Sequence, residues 1–297
     1  MYSLTLIKCS LLDPSMMNPK ELNFNVHGRT ITALQWGEED QPLILALHGW
    51  LDNAESYYKL APQLAGFRVV AIDMAGHGQS DWRSADSGYP IWGYVEDLHA
   101  VKCQLQPEGA IRILAHSLGA GVASLYAGTF PDQVMKLGLI ENLAPFTNAP
   151  DQFAENLSQS IMDNLSSQKQ ATPKSKTLLT KLRATGRFPV PLDAAERLVM
   201  RSSEYLPSGE LLIRVDPRLK LRSSVRLTED QVRSCLTRID SPVLVIAGRS
   251  GLSQELTQAR LPFVKNIEFR WMPGGHHLHL DDEVVPQMAS AFNEFFG

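Results

Sequence analysis

Short unbroken apolar runs alternate with amphipathic stretches along most of this 297-residue chain. Residues 43–47, Leu-Ile-Leu-Ala-Leu, form one such run, and residues 67–72 form a second. A strand covered on both faces reads this way, because neither side of it meets water. Runs at 111–114, 137–140, 243–247 and 267–271 predict four more strands. Ahead of them, residues 21–27 and 29–36, split by Gly28, predict a hairpin of two edge strands. Helical patterns fill the gaps at 54–64, 90–105 and 118–129, with a last one at 281–296. In the second of these, Ile91, Val95, Leu98 and Val101 recur at helical spacing. Pro131 closes the third. The alternation predicts an α/β fold: a mostly parallel, eight-stranded sheet with helices on both faces.

Between residues 145 and 238 the pattern changes. Buried-strand runs stop, and Phe153, Leu157, Ile161 and Leu165 recur every four residues, as on one helix face. Leu178, Leu179 and Leu182 predict another helix, and residues 192–200 a third. Thr228-Glu-Asp-Gln231 reads as a capping box opening a fourth. The expected organisation is a core of residues 1–144 and 239–297, with a helical cap, or lid, inserted at 145–238.

Composition excludes some functions. The chain has 28 basic and 32 acidic residues, a net charge of −4, and no basic run. Nucleic acid is therefore not an implied partner, and no polybasic membrane anchor is present. No apolar run reaches the roughly 20 residues of a membrane-spanning helix. Cys9, Cys103 and Cys235 are widely spaced and form neither a disulfide framework nor a CxxC metal pattern, which fits a reducing compartment. Residues 1–12 are apolar in flavour, but Lys8 interrupts them and no charged start precedes them, unlike a signal peptide. A cytoplasmic location is expected, with Met16 or Met17 as an alternative start and residues 1–15 a loose extension. Nothing in the sequence fixes an oligomeric state.

Parallel sheets bind ligands at the carboxyl ends of their strands. The loops at 48–53, 73–80, 115–119 and 141–142 all fall at such ends. One of them, Ala115-His-Ser-Leu-Gly119, reads as a nucleophile elbow, with Ala115 in place of the first glycine of G-x-S-x-G. A serine at a helix start also serves as an N-cap, so the pentapeptide does not decide the matter alone. As a nucleophile Ser117 needs a base, usually a histidine held by a carboxylate. His116 should point away from the serine and is read as structural; His27 and His99 carry no motif. Gly274-Gly-His-His-Leu-His-Leu-Asp281 follows the last strand, where a loop can return a base across the sheet edge. His276, His277 and His279 with Asp281 and Asp282 also permit a metal cluster, or simply a solvated loop. The chain order Ser…acid…His favours the catalytic reading.

His48-Gly49-Trp50, Asp73-Met-Ala-Gly-His-Gly-Gln-Ser80, the Ser117 elbow and Gly275-His276, in this order, resemble the α/β-hydrolase superfamily over nearly the whole chain. Leu47-His-Gly-Trp-Leu-Asp-Asn53 and the histidine-rich loop resemble its serine hydrolase-like branch. The resemblance implies Ser117 as nucleophile and His276 as base, with His277 and His279 as runners-up. It implies an oxyanion hole from the backbone N–H groups of Trp50 and Leu118. The loop at 73–80 is read as structural, and Asp73 is not the nucleophile because the elbow residue is serine. One departure stands out: most of the superfamily carries its acid as G-x-x-D, and here that stretch is Gly248-Arg-Ser-Gly251. Some branches, such as certain haloalkane dehalogenases, place the acid after the sixth strand, which points to Glu141, with Glu255 the alternative. Trp50, Trp82 and Trp92 either line the pocket or belong to the core. The expected function is a serine hydrolase acting on a small-molecule ester, thioester or related acyl substrate, without metal or cofactor. A C–C bond hydrolase or perhydrolase on the same residues, and a non-catalytic ligand-binding protein, are the alternatives.

Overall fold

A computed structural model describes residues 18–166, 171–252 and 254–297. Residues 1–17, with Cys9, the alternative starts and the apolar stretch at 1–12, lie outside the described residues. Eight strands form one sheet: β1 (Lys20–Val26), β2 (Arg29–Trp36), β3 (Leu43–Leu47), β4 (Arg68–Ile72), β5 (Ile111–His116), β6 (Val134–Ile140), β9 (Val243–Gly248) and β10 (Ile267–Met272). Their order is β1-β2-β4-β3-β5-β6-β9-β10. Pairing is antiparallel from β1 through β2 to β4 and parallel from β4 onward.

The unbroken apolar runs are explained by two cores, one on each face. Leu43, Leu45 and Leu47 of β3 face Leu98 and Val101 of α1 (Ile91–Leu105) and Ala120 and Tyr126 of α2 (Leu118–Thr129). Ile44 and Ala46 face the other way, toward Met288, Phe292 and Phe296 of α8 (Val285–Phe296). Side chains alternate along a strand, so a strand buried on both sides must be apolar at every position.

Two helices expected from the sequence are shorter in the structure. Residues 54–64 form two 3₁₀ turns, Ala54–Tyr57 and Ala61–Gln63, in place of one helix. Pro62 stands at the start of the second turn; its ring clashes with the preceding turn and it has no N–H to continue a ladder. The last helix begins at Val285 rather than 281, where Pro286 fits the first helical turn.

Between β6 and β9 lie α3 (Phe153–Ser166), α4 (Lys176–Ala184), α5 (Leu192–Arg201) and α6 (Glu229–Leu236), together with a short hairpin of β7 (Ser203–Tyr205) and β8 (Leu211–Ile213). The hairpin is too short to leave a buried-strand run in the sequence. Thr228 and Gln231 cap α6 reciprocally, as their spacing predicts. In α3 the expectation fails: Phe153, Ile161 and Leu165 are exposed, while Asn156 and Ser160 are buried. Those two polar side chains bond the carbonyls of Ser223, Ser224 and Arg222, so hydrogen bonding rather than apolar contact docks this helix. The tryptophans also depart from a core reading, because Trp50, Trp82 and Trp92 are each about half exposed. No helix among the described residues is long and apolar enough to cross a membrane.

The segment between β6 and β9 is tied to loops at the carboxyl ends of the strands. Trp50 Nε1 donates to the Leu219 carbonyl, and Trp82 Nε1 to that of Arg214. Asn53 Nδ2 donates to the Leu198 carbonyl and to Ser202 Oγ. Arg201, at the end of α5, pairs with the fully buried Asp73. Asp73 also accepts the backbone N–H groups of Ala54 (2.7 Å) and Gln79 (2.8 Å). This carboxylate closes the 73–80 loop. Replacing Asp73 by Ala would strand two buried amides and a buried guanidinium, and a loss of about 3–5 kcal/mol is expected. Urea denaturation of Asp73→Ala checks this; a loss under about 1 kcal/mol would contradict the role.

Candidate active site

The elbow is built from a single residue. β5 ends at His116 and α2 begins at Leu118, so Ser117 makes the whole turn, at φ 52° and ψ −110°. A side chain other than glycine is rarely held there, and such strain persists only where the surroundings fix it. Here the Ser117 N–H donates to the Ile140 carbonyl (3.0 Å), and its carbonyl accepts from Asn142 Nδ2 (3.1 Å). Gly119 is required by close approach, since a Cβ there would lie 2.5 Å from the Leu47 carbonyl oxygen. Ala115 is buried inside the sheet, where its methyl is accommodated.

Three of the expected residues meet. His276 Nε2 lies 3.0 Å from Ser117 Oγ, and His276 Nδ1 lies 3.1 Å from Glu141 Oε2. With a carboxylate beside Nδ1, that nitrogen carries the proton, and Nε2 is left to accept from the serine hydroxyl. Glu141 sits just past β6 at φ 69°, fully buried. Its Oε1 accepts the Gly248 N–H (2.5 Å) and its Oε2 the Leu252 N–H (2.8 Å). A Cβ at position 251 would fall 2.0 Å from Glu141 Oε1. The missing aspartate and the extra glutamate are thus one feature: the Glu141 carboxylate occupies the space where a side chain at 251 would begin.

The remaining candidates lie elsewhere. Glu255 is exposed on α7 (Gln254–Arg260). His277 Nε2 bonds Asp52 (3.0 Å) and His279 Nε2 bonds Ser56 Oγ (2.8 Å). Asp281 accepts the Glu283 N–H, and Asp282 pairs with Lys59. The cluster of three histidines with Asp281 and Asp282 is therefore not assembled, because each member is turned to a different partner. Asp52, His116 and His277 do bring potential ligand atoms within 4.8 Å of one another. The Arg183 guanidinium, 2.6 Å from Asp52, already supplies positive charge at that point.

Trp50 and Leu118 flank the serine through their neighbours. A Cβ on Gly49 would come 3.4 Å from that of Ser117, so the 48–50 loop lies against the elbow. Among the described residues, no hydrogen bond uses the backbone N–H of Trp50 or Leu118. Two buried histidines fix the parts around them. His48 Nε2 accepts the Met74 N–H (3.0 Å), so its Nδ1–H donates to the Gly49 carbonyl (2.7 Å). His116 Nε2–H donates to the His276 carbonyl (2.8 Å), which gives the structural role expected for His116 a definite object. Asn142 was not anticipated as a partner of Ser117; its place beside Glu141 after β6 was the available signal.

The sequence matches the alpha/beta hydrolase fold family over residues 42–283. The chain belongs to the α/β-hydrolase fold family, in its serine hydrolase-like branch. It is 31% identical over 284 residues to a serine hydrolase-like protein of Dictyostelium discoideum, covering 89% of this chain and 79% of that one. A bifunctional esterase/perhydrolase of Acinetobacter calcoaceticus is 33% identical over 146 residues, 48% of this chain and 51% of its own. The crystal structure of a hypothetical protein from Pseudomonas aeruginosa superposes with a TM-score of 0.87 at 35% identity, over 93% of this chain and 99% of that one.

This α/β-hydrolase buries several histidines in neutral form around the site. Burial pushes the His48 imidazole down to about 4 and that of His77 to about 3. Burial likewise lowers His116, His277 and His279. The unfolded chain takes up these protons near pH 6.5, before the folded protein can. Their stabilisation is therefore complete above pH 6.5 and is lost as the pH falls toward 4, by roughly 3 kcal/mol for His48 alone. Urea midpoints recorded from pH 7.5 to pH 4 should fall steeply, with a shallower fall in His48→Gln. A midpoint independent of pH across that range would show that these histidines are not buried neutral.

Proposed function

We propose that this protein is a serine hydrolase that cleaves an ester, thioester or related acyl substrate through an acyl-enzyme on Ser117. The observation that carries the reading is the unbroken chain from Ser117 Oγ through His276 to the Glu141 carboxylate. The hydroxyl attacks the substrate carbonyl carbon while His276 Nε2 takes its proton. Glu141 stabilises the imidazolium that forms, as a buried carboxylate bonded to Nδ1 does in this type of triad. Negative charge gathers on the former carbonyl oxygen, and the N–H groups of Trp50 and Leu118 receive it; the N-terminus of α2 adds a favourable dipole. Collapse of the tetrahedral intermediate expels the leaving group, which takes the proton from His276. Water then adds to the acyl-enzyme by the same steps and frees Ser117.

The inserted segment at 145–238 acts as the lid. It brings Phe188 to the site, with ring centroids of Phe188 and His276 5.1 Å apart. An apolar ring beside the base suits an acyl group of small or medium size with some hydrocarbon character. The similarity to an esterase/perhydrolase supports a second reading on the same residues, in which hydrogen peroxide replaces water in the second half-reaction. A purely ligand-binding protein drew its support from the glycine at 251. The carboxylate packed against that glycine weighs against it.

A fluorophosphonate probe should label the wild-type protein covalently, and Ser117→Ala should abolish the label. Failure of the wild-type protein to react would remove the hydrolase reading. Glu141→Gln should lower turnover of a short-chain nitrophenyl ester by about 10²–10⁴, since the amide stabilises neither the tautomer nor the imidazolium. Turnover near the wild-type value would move the acid elsewhere.

A further inference from the structure

We propose that Asp52 is a positioning residue that holds three separate parts of the active site in register. The proposal rests on the reading of Ser117 and His276 given above. Asp52 closes the loop that carries Trp50: its N–H donates to the Gly49 carbonyl (3.2 Å), across a turn in which Leu51 has φ 63°. Its carboxylate points inward, with 2% of the side chain exposed, and reaches two other segments. Oδ2 accepts from Nε2 of His277, the residue next to the base. Oδ1 accepts from Nη2 of Arg183 on α4, at 2.6 Å. Arg183 Nη1 in turn donates to the Phe188 carbonyl (2.8 Å), fixing the residue whose ring lies over His276. One carboxylate thereby links the loop of a proposed oxyanion donor, the loop of the base and the apolar wall.

Electrostatics make the link discriminating. Burial pushes the Asp52 carboxyl up, but His277 and Arg183 outweigh it and hold it well below the usual range. His277 is itself lowered by burial, against the pull of Asp52, and the Arg183 cation opposes its protonation. Neutral His277 therefore donates through Nε2, and Arg183 is the charge that balances Asp52. Other ion pairs from this segment reach other places: Arg201 meets Asp73 and Glu21, Arg197 meets Glu55, Asp193 meets Lys59 and Glu229 meets Arg260, while Arg218, paired with Asp216 of its own segment, donates to the carbonyls of residues 83, 84 and 87. Lys59 likewise joins Asp193 to Asp282, but among the described residues the Asp52 pair is the one that bonds the residue next to His276.

The test compares Arg183→Met, Asp52→Asn and the double variant. Each single change should slow fluorophosphonate labelling and lower kcat for a nitrophenyl ester at least about 10-fold, the scale expected when a catalytic group is displaced by a fraction of an ångström. KM should move less than kcat, and the double variant should be no worse than the poorer single one. Hydrogen exchange should rise together in residues 48–53, 176–190 and 274–281, and stay unchanged in 111–129. In Arg183→Met the buried Asp52 keeps only His277, so the His277 ring should titrate at higher pH, and part of the lost activity should return as the pH is lowered. The groups facing that ring are Asp52, Arg183, His116, His276 and His279. Asp52→Asn should show no such recovery. Wild-type rates in both single variants, losses that multiply in the double variant, or exchange confined to 176–190 would each overturn the proposal. If Arg183→Met does not fold, Arg183→Lys takes its place: it keeps the charge but cannot donate to Asp52 and Phe188 together. It should raise exchange at 186–190 and slow labelling several-fold, and unchanged exchange and labelling would again overturn the proposal. A wild-type protein that fails to label would sink the hydrolase reading alone, because exchange and the His277 titration still decide the role of Asp52.

Discussion

The site depends on one constrained turn. Ser117 connects β5 to α2 without an intervening residue, in a left-handed backbone that a serine adopts only when held there. The turn requires β3 to pass within contact distance of Gly119, and it requires the strand beside it to supply the Ile140 carbonyl for the Ser117 amide. Those requirements place the elbow at the middle of the sheet, between β3 and β6, where neighbouring strands hold it from both sides. The groups around Ser117 come from the carboxyl ends of strands: the 48–53 loop after β3, Asn142 after β6 and, from the edge strand β10, His276, which Glu141 after β6 bonds in turn.

The same edge gathers many polar groups besides Ser117 and His276. His48, Asp52, Asp73, His77, His116, Glu141, His277 and His279 are all buried. They are tolerated because nearly every charge has a partner and most of the histidines are kept neutral. Asp73 is surrounded by two amides and Arg201, Asp52 by Arg183 and His277, and Glu141 by two amides and His276. In each case a carboxylate joins a core loop to a segment far away in sequence. Through Asp52 and Asp73, the same interactions that order these loops also attach the segment between β6 and β9.

The segment between β6 and β9 is held by both apolar and polar contacts: Leu219, Val232 and Leu236 join the core on the α1/α2 face, and Ala194, Ala195 and Leu198 pack with Leu280. Its ion pairs with Asp52 and Asp73 and its tryptophan and asparagine hydrogen bonds are directional, so they specify one docked position. The apolar residues of α3 contribute little to that docking, being turned to solvent.

The order of strands and helices was legible in the sequence because burial on both faces leaves an unbroken apolar run, and the parallel sheet follows from the alternation. The elbow was legible because small residues at 115 and 119 surround a serine at a strand-to-helix junction. The capping box of α6 was legible because its hydrogen bonds are local. Residue patterning alone did not separate three neighbouring histidines, and only the resemblance of Gly275-His276 favoured one; the tertiary structure shows that His276 faces Ser117 while His277 and His279 face Asp52 and Ser56. It decided that Gly251 and Glu141, 110 residues apart in number, share one space. It also decided that α3 buries Asn156 and Ser160 instead of its apolar stripe, because the carbonyls of residues 222–224 come from a distant turn. A sequence pattern reports how much of a residue is buried by its own element; it carries no record of which distant group will complete a hydrogen bond or fill a gap.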